Sequence, residues 1–306
     1  MAGAGHRLEH AAFRLARRVG GLLPESVALA SGAALGRAVG SGLRLRRADV
    51  DRHLRWAFPD ASDPWRQRVA RASYAHFGRE AAVMLRAARW PREHVVERTH
   101  VEGFERFRAA AESGRGVVLL TGHLGNWEIG GAAIAARGVP LDVVGKGMSN
   151  RRFQDDLFAT RASLGMRVIE MGEASREALR SLGAGRVVAL LADQQAHRGG
   201  VLVPFFGRPA STARGPALFA MRSGASVFVA FALRQPGTLA RYAVTFEPLL
   251  FTPSGATEAD VLGLLGAYGA VLEGAIRRAP EQYFWQHRRW KNAPGPGQGP
   301  ELASEG

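Results

Sequence analysis

From about residue 115 onward, short apolar runs alternate with stretches whose apolar residues recur at helical spacing. Candidate strands fall at 116–120, 141–145, 167–170, 187–192, 226–233 and 240–247. Candidate helices fit between them at 126–136, 150–164, 174–183 and 212–223, and a closing helix runs over about 257–278. Strands that alternate with helices share one sheet and cover its faces with the helices, so the expected class is α/β. The earlier part of the chain reads as helical. Over 7–23, Leu8, Ala12, Leu15, Val19 and Leu22 make one face, Arg7, His10, Arg14, Arg17 and Arg18 gather on the opposite arc, and Phe13 falls outside the stripe. Such a helix suits a membrane interface or a docking face on the body of the protein. Pro59 ends one further helix, and another is expected from Trp65 to Ala88. The division that follows is 1–110, an N-terminal helical, membrane-associating region; 111–291, an α/β core; and 292–306, a Gly/Pro-rich tail expected to be disordered.

Hydrophobic residues at 46% of 306 supply a sizeable core. The absence of cysteine removes disulfides, thiol nucleophiles and cysteine metal sites together. No span reaches the roughly 20 apolar residues of a transmembrane helix. The nearest, Ser26 to Leu43, contains Arg37 and is mostly Gly, Ala and Ser, and the charges at Arg7, Glu9, Arg14, Arg17 and Arg18 break a signal-peptide pattern. The net charge of +14 does change the picture, because it points to an anionic partner: a nucleic acid, an acidic protein or a phospholipid surface. Nucleic acid is the weakest of these, since the arginines are spread along the chain and no zinc-ligand, RNP-type or helix-turn-helix signature stands out.

The candidate chemistry sits in Thr121–Gly131, directly after the apolar run Val117–Leu120. It places His123 and Glu128 five residues apart, which in a regular helix is about 140° and on different faces. With Asn126 as a helix cap, Glu128 lies in the first turn and His123 in the loop before it, where Gly122 and Gly125 let the histidine fold back. A histidine supplies a base near neutral pH, and a carboxylate on its other ring nitrogen fixes tautomer and orientation. Neither the H-E-x-x-H zinc pattern nor the G-x-S-x-G nucleophile elbow is present, so no metal or other cofactor is called for.

The block Gly122-His123-Leu124-Gly125-Asn126-Trp127-Glu128 resembles the one that opens the catalytic domain of bacterial lipid A biosynthesis acyltransferases. These lauroyl/myristoyl transferases lie within the wider glycerolipid and lysophospholipid acyltransferase superfamily. Ala192-Asp193-Gln194-Gln195, Val203-Pro204-Phe205-Phe206-Gly207 and Pro280 to Lys291 follow in the family's order, and the resemblance covers roughly 45–291. It departs from the family at His53-Leu54, where Asn often precedes Leu, and at 7–43, where the anchor is usually more hydrophobic.

The resemblance implies a mixed central sheet flanked by helices, with an N-terminal region that meets the inner (cytoplasmic) membrane on its cytoplasmic face, peripherally or monotopically. It implies transfer of a fatty acyl chain from an acyl carrier protein thioester, or from acyl-CoA, to a hydroxyl of a lipid A precursor or related glycolipid. It assigns His123 as general base and Glu128 as its orienter. Arg161 is expected to stabilise the thioester oxyanion, to hold a phosphate, or to be a surface arginine. Asp193 and Gln194 follow a strand and are expected to shape the acceptor pocket or to bond within their loop, and Asn126 to serve as the cap. The dense basic cluster His287, Arg288, Arg289 and Lys291 is expected to contact a headgroup or to be structural. Another lipid acceptor, such as a phosphatidylinositol mannoside or a lysophospholipid, and a non-catalytic lipid-binding role remain open at this level.

Overall fold

The computed structural model describes residues 2–145, 147–196, 199–255 and 257–291. The expected tail at 292–306 lies outside them. Among the described residues nine strands form: β1 Thr99–Glu102, β2 Val117–Thr121, β3 Leu141–Gly145, β4 Met166–Glu170, β5 Val187–Leu191, β6 Gly200–Phe205, β7 Arg208–Ala213, β8 Ser226–Arg234 and β9 Tyr242–Pro248. Seven of them make one sheet in the order β1-β9-β8-β2-β5-β3-β4, parallel throughout except for the antiparallel β8–β9 pair. The sheet is therefore mixed, and helices cover it.

The central position of β2 follows from its composition. A strand buried on both faces needs apolar side chains at every position, and Val117 to Leu120 are all within 3% of full burial. Val118 and Leu120 face a core built with α9 (Ala174–Gly183), α10 (Gly215–Ser223) and α11 (Glu258–Arg278). Val117 and Leu119 face a second core with α5 (Arg92–Arg98), α6 (Phe104–Glu112) and α7 (Trp127–Ala136). α8 (Arg151–Ser163) leads into β4. Among the described residues α11 is the one helix with the length and hydropathy of a membrane span. Its Leu264, Leu265, Tyr268, Leu272 and Ile276 are core residues of the sheet's first face.

Two strand readings change. β1 lies inside the segment read as helical, too short and polar to announce itself as Thr-His-Val-Glu, and it is held as an edge by β9. β6 and β7 form a separate antiparallel hairpin around Phe206 and Gly207, whose φ values of +49° and +70° fit a two-residue turn. Pro204 in β6 hides that strand from the sequence pattern.

The N-terminal segment comprises α1 (Ala2–Leu22), α2 (Glu25–Arg37, continuing into a π-turn at Ala38–Gly42), α3 (Arg47–Ala57) and α4 (Asp63–Ala87). α2 and α4 touch backbone to backbone. A Cβ at Gly36 would stand 2.0 Å from the Tyr74 carbonyl oxygen, and one at Gly78 would stand 2.1 Å from that of Gly32. Glycine here is a packing requirement rather than a source of flexibility.

α1 docks by the face its apolar stripe does not occupy. Phe13 meets Phe153 edge to face at 4.7 Å, and His10 and Arg17 reach Asp156 on α8. Leu15, Val19 and Leu22 are left 63%, 47% and 84% exposed. Leu15, Val19 and Leu22 are therefore unpartnered among the described residues, and Arg14 and Arg18 are exposed as well.

Substituting Gly78→Val should force α2 and α4 apart and lower stability by about 1–3 kcal/mol, the range for overpacked contacts. Gly5→Ala, where an added Cβ meets nothing, should be neutral or stabilising. Thermal melts of the two variants against the parent check both signs.

Candidate active site

β2 and β5 pair in register from Val117 opposite Val187 to Thr121 opposite Leu191. One further bond, from the Ala192 amide to the Thr121 carbonyl at 3.1 Å, keeps the two chains level as they leave the sheet. Two residues past each strand stand His123 and Asp193. The His123 amide donates to Asp193 Oδ2 at 2.8 Å, and the ring Nδ1 lies 2.7 Å from Oδ1. A carboxylate only accepts, so Nδ1 carries the hydrogen and Nε2 offers the lone pair. The Gln194 side-chain amide donates to that Nε2 at 3.0 Å. Burial alone would raise the Asp193 carboxyl, but the His123 imidazole, its two hydrogen bonds and Arg289 outweigh it and hold the pKa below the ordinary carboxylate value. The His123 ring rests against Trp127 at 4.7 Å and Phe284 at 6.1 Å.

The turn between His123 and α7 is clamped from several sides. Gly125 adopts φ +66° and lies so close to β8 that a Cβ would sit 2.0 Å from the Ala232 carbonyl oxygen. Its amide donates to the Gln282 carbonyl at 3.0 Å, that of Asn126 to Ala232 at 2.9 Å, and that of Phe284 to His123 at 2.9 Å. Asn126 caps α7, its Oδ1 accepting from the Ile129 amide at 3.0 Å, while Nδ2 donates to Glu80 Oε2 at 2.8 Å.

Glu128 occupies the first turn of α7, as the spacing requires, but it does not bond His123. Its carboxylate takes Arg161 Nη2 at 2.6 Å and Nε at 2.9 Å, with Trp127 Nε1 at 3.2 Å. The structure thus corrects the expected pairing: the carboxylate on the imidazole is that of Asp193, and Glu128 is the partner of Arg161. The physical reason is that parallel pairing delivers Asp193 to the histidine from a neighbouring strand end, whereas the first turn of α7 projects Glu128 toward α8. A fork of two guanidinium nitrogens on one carboxylate fixes Arg161 in place, so it is not a free surface arginine. Trp127, Glu128 and Arg161 also line a narrow cleft of about 50 Å³ that runs between α7 and the sheet among Leu119, Val143, Met166 and Ala189.

Part of the basic closing segment turns inward. Arg289, 4% exposed, donates to the Ser211 carbonyl and to Thr212 Oγ1 at 2.6 Å, and lies over the Phe205 ring at 5.4 Å. Arg288 bonds Asp49 at 3.0 Å, and His287 Nε2 accepts from the Gln195 amide at 3.1 Å. Arg289 therefore braces the β6–β7 hairpin and His287 the Asp193 loop, whereas Arg288, paired with α3, and Lys291 are exposed. The unexpected His53 is also accounted for, because it is 2% exposed with Nδ1 3.0 Å from the Trp285 carbonyl.

Sequence reasoning missed Glu80. This buried carboxylate accepts from Asn126, from Tyr242 Oη at 2.5 Å and from Arg234 at 3.2 Å, tying α4 to the catalytic turn and to β8–β9. Its signal was a lone acid on the apolar face that Val83 and Ala87 share. Among the described residues no group of three His, Cys, Asp or Glu side chains converges as a metal site.

A family model described as bacterial lipid A biosynthesis acyltransferase matches residues 14–292. The lipid A biosynthesis lauroyltransferase of Escherichia coli K12 is 26% identical over 275 residues, covering 89% of this chain and 88% of that protein. The palmitoleoyltransferase of the same organism is 25% identical over 276 residues, covering 89% and 87%. The phosphatidylinositol mannoside acyltransferase of Mycolicibacterium smegmatis is 29% identical over 165 residues, and the chain spans about half that protein's length, with 53% of each covered.

The site carries its own pH signature. Burial first, and the neighbouring His123 and Arg289 charges, lower His287 to about 4, and burial likewise lowers His53 and His76. The unfolded chain protonates these groups near pH 6.5, so stability is fully present above that value and is lost as the pH falls toward 4. For His287 the loss is at most about 3 kcal/mol. Melting temperature measured from pH 7 to 4 should fall along this window, and His287→Gln, which keeps an acceptor for the Gln195 amide, should flatten the slope.

Proposed function

The chain belongs to the bacterial lipid A biosynthesis acyltransferase family, and we propose that it moves a fatty acyl chain from an acyl carrier protein thioester to a hydroxyl of a lipid A precursor or related glycolipid. The observation that supports this reading best is the imidazole of His123, anchored through Nδ1 on the buried Asp193 with Nε2 left as the acceptor. An alcohol attacks a thioester poorly until its proton has a destination, and a positioned base contributes roughly 10²–10⁴ in rate.

In this reading the acceptor hydroxyl displaces Gln194 from Nε2 and gives its proton to it as the oxygen–carbon bond forms. Asp193 stabilises the imidazolium that results, as the carboxylate of a catalytic triad does. Collapse of the tetrahedral intermediate breaks the carbon–sulfur bond, and the proton passes from Nε2 to the departing thiolate. Arg161, held by Glu128, supplies positive charge toward the oxyanion, and the apolar cleft behind Trp127, narrow in this structure, widens to take the acyl chain. Pocket depth there selects chain length, and Met166, which leaves no room for a Cβ at Gly131, stands in that depth.

The exposed Leu15, Val19 and Leu22 stripe, with Arg14 and Arg18 beside it, suits the cytoplasmic face of the inner membrane, apolar side down among anionic headgroups. The acidity of an acyl carrier protein suits a chain of +14. The likeness to a mycobacterial phosphatidylinositol mannoside acyltransferase favours a second acceptor class for the same chemistry, a mannosylated phospholipid, with acyl-CoA as an alternative donor.

Purified protein incubated with acyl carrier thioesters or acyl-CoA and candidate acceptors should give products heavier by one acyl group on mass analysis. His123→Ala should abolish transfer with an unchanged circular dichroism spectrum; retained transfer would sink the assignment. Asp193→Asn should lower kcat by about 10²–10⁴. If Glu128→Gln were as damaging to kcat while Asp193→Asn was silent, the sequence-derived pairing would be the correct one.

A further inference from the structure

Behind the catalytic turn lies an open basin of about 760 Å³ walled by α4, the end of β8 and the residues after α11. His76, Leu233 and Gln282 in its wall all lie at the clamped turn. His76 Nε2 is 3.4 Å from the Gly125 carbonyl, Gln282 receives the Gly125 amide, and Leu233 follows the Ala232 that holds Asn126. The basin thus shares its inner wall with the turn that carries His123.

Six arginines line it: Arg37, Arg68, Arg71, Arg79, Arg234 and Arg278. Arg234 is satisfied by Glu80 and the Leu239 carbonyl. The other five make no hydrogen bond or ion pair among the described residues, and Glu281 is the one acid in the lining. Many of the chain's other arginines are paired, for example with Asp49, Asp51, Asp63, Asp142 and Glu258. Arg79 stands in the tightest position. Burial, and after it the charges of Arg234 and Arg37, lower its pKa from the ordinary guanidinium value. Guanidinium groups gathered around a hollow with one acid between them repel each other until an anion enters.

We propose that this basin binds a phosphate ester on the head group of the acceptor lipid. Forked guanidinium donors match the oxygens of a phosphate, and several line this one hollow. A concave site with a half-buried cation in its wall favours a compact anion that can enter it over the convex surface of an acidic protein. Its shared wall with the His123 turn suits an acceptor whose phosphate is held while a hydroxyl of the same head group reaches Nε2. This rests on the acyltransferase reading, but binding can be tested apart from turnover.

The test uses full-length protein, the double variant Arg79→Gln/Arg278→Gln, and the charge-matched control Arg106→Gln/Arg115→Gln at the opposite end of β2. The control arginines are exposed. Inorganic phosphate should raise the melting temperature of the parent and the control but not of the basin variant. Without phosphate the basin variant should melt no lower than the parent, because like-charge repulsion has been relieved. A phosphorylated glycolipid in detergent micelles should bind the basin variant about tenfold more weakly than the parent, and its dephosphorylated form should bind both equally. If phosphate protects but the glycolipid does not discriminate, the site is one for free phosphate and the head-group assignment is overturned. Equal phosphate responses in parent and basin variant, or equal losses in the control, would overturn the site itself. A loss of affinity for acyl carrier protein alone would reassign the basin to the donor. Should wild-type protein show no transfer on any acceptor, the catalytic reading fails while these binding results stand by themselves.

Discussion

The level ending of two parallel strands governs the site. β2 and β5 are apolar runs that pair without offset, and the last bond of their ladder lies one residue past β5. Any slip of one residue would send each side chain into the opposite one of the two cores and carry Asp193 away from His123. The register is fixed because both strands are buried on both sides and because Tyr268 Oη bonds the Thr121 carbonyl at 2.7 Å. A dry, rigid strand end can hold an ionised aspartate in place because the histidine, its amide and Arg289 compensate the lost water.

Much of this was legible in the residues. Alternating apolar runs located every strand of the central sheet except β1, and the strand-to-helix turn with its cap was readable from Asn126 and the flanking glycines. The His123 partner was not, because a spacing along the chain reports only local geometry. Asp193 lies 70 positions from His123, and only the strand order brings them together. Glu80 was hidden for the opposite reason: its partners come from a helix cap, a strand and a tyrosine in three separate elements. β6 was obscured by its own proline, and the closing basic cluster left both of its readings open because density of charge does not reveal which way side chains turn.

The N-terminal helices illustrate how one composition can serve two ends. The Gly, Ala and Ser content of 26–43 reads as a weak membrane segment by hydropathy. In the fold its Gly32 and Gly36 admit the α4 backbone at contact distance. The apolar stripe of α1, meanwhile, is turned away from the body while the ring of Phe13 does the docking. Hydrophobic periodicity found the stripe but could not say whether protein or something else would cover it.

α4 joins these parts, and it does so with three different sides. Ser73, His76, Phe77 and Glu80 face the catalytic turn and the closing segment. Tyr74 and Gly78 face α2, and Arg68, Arg71, Ala72, Ala75 and Arg79 face the arginine basin. Each residue of a helix is rotated by about 100° from the last. Inserting or deleting one residue between Arg68 and Glu80 would therefore hand every side to the wrong neighbour at once. Loops elsewhere on the surface can lengthen over generations at small cost. This stretch can change its side chains but not its count, so its length should be the most tightly held number in the whole sequence.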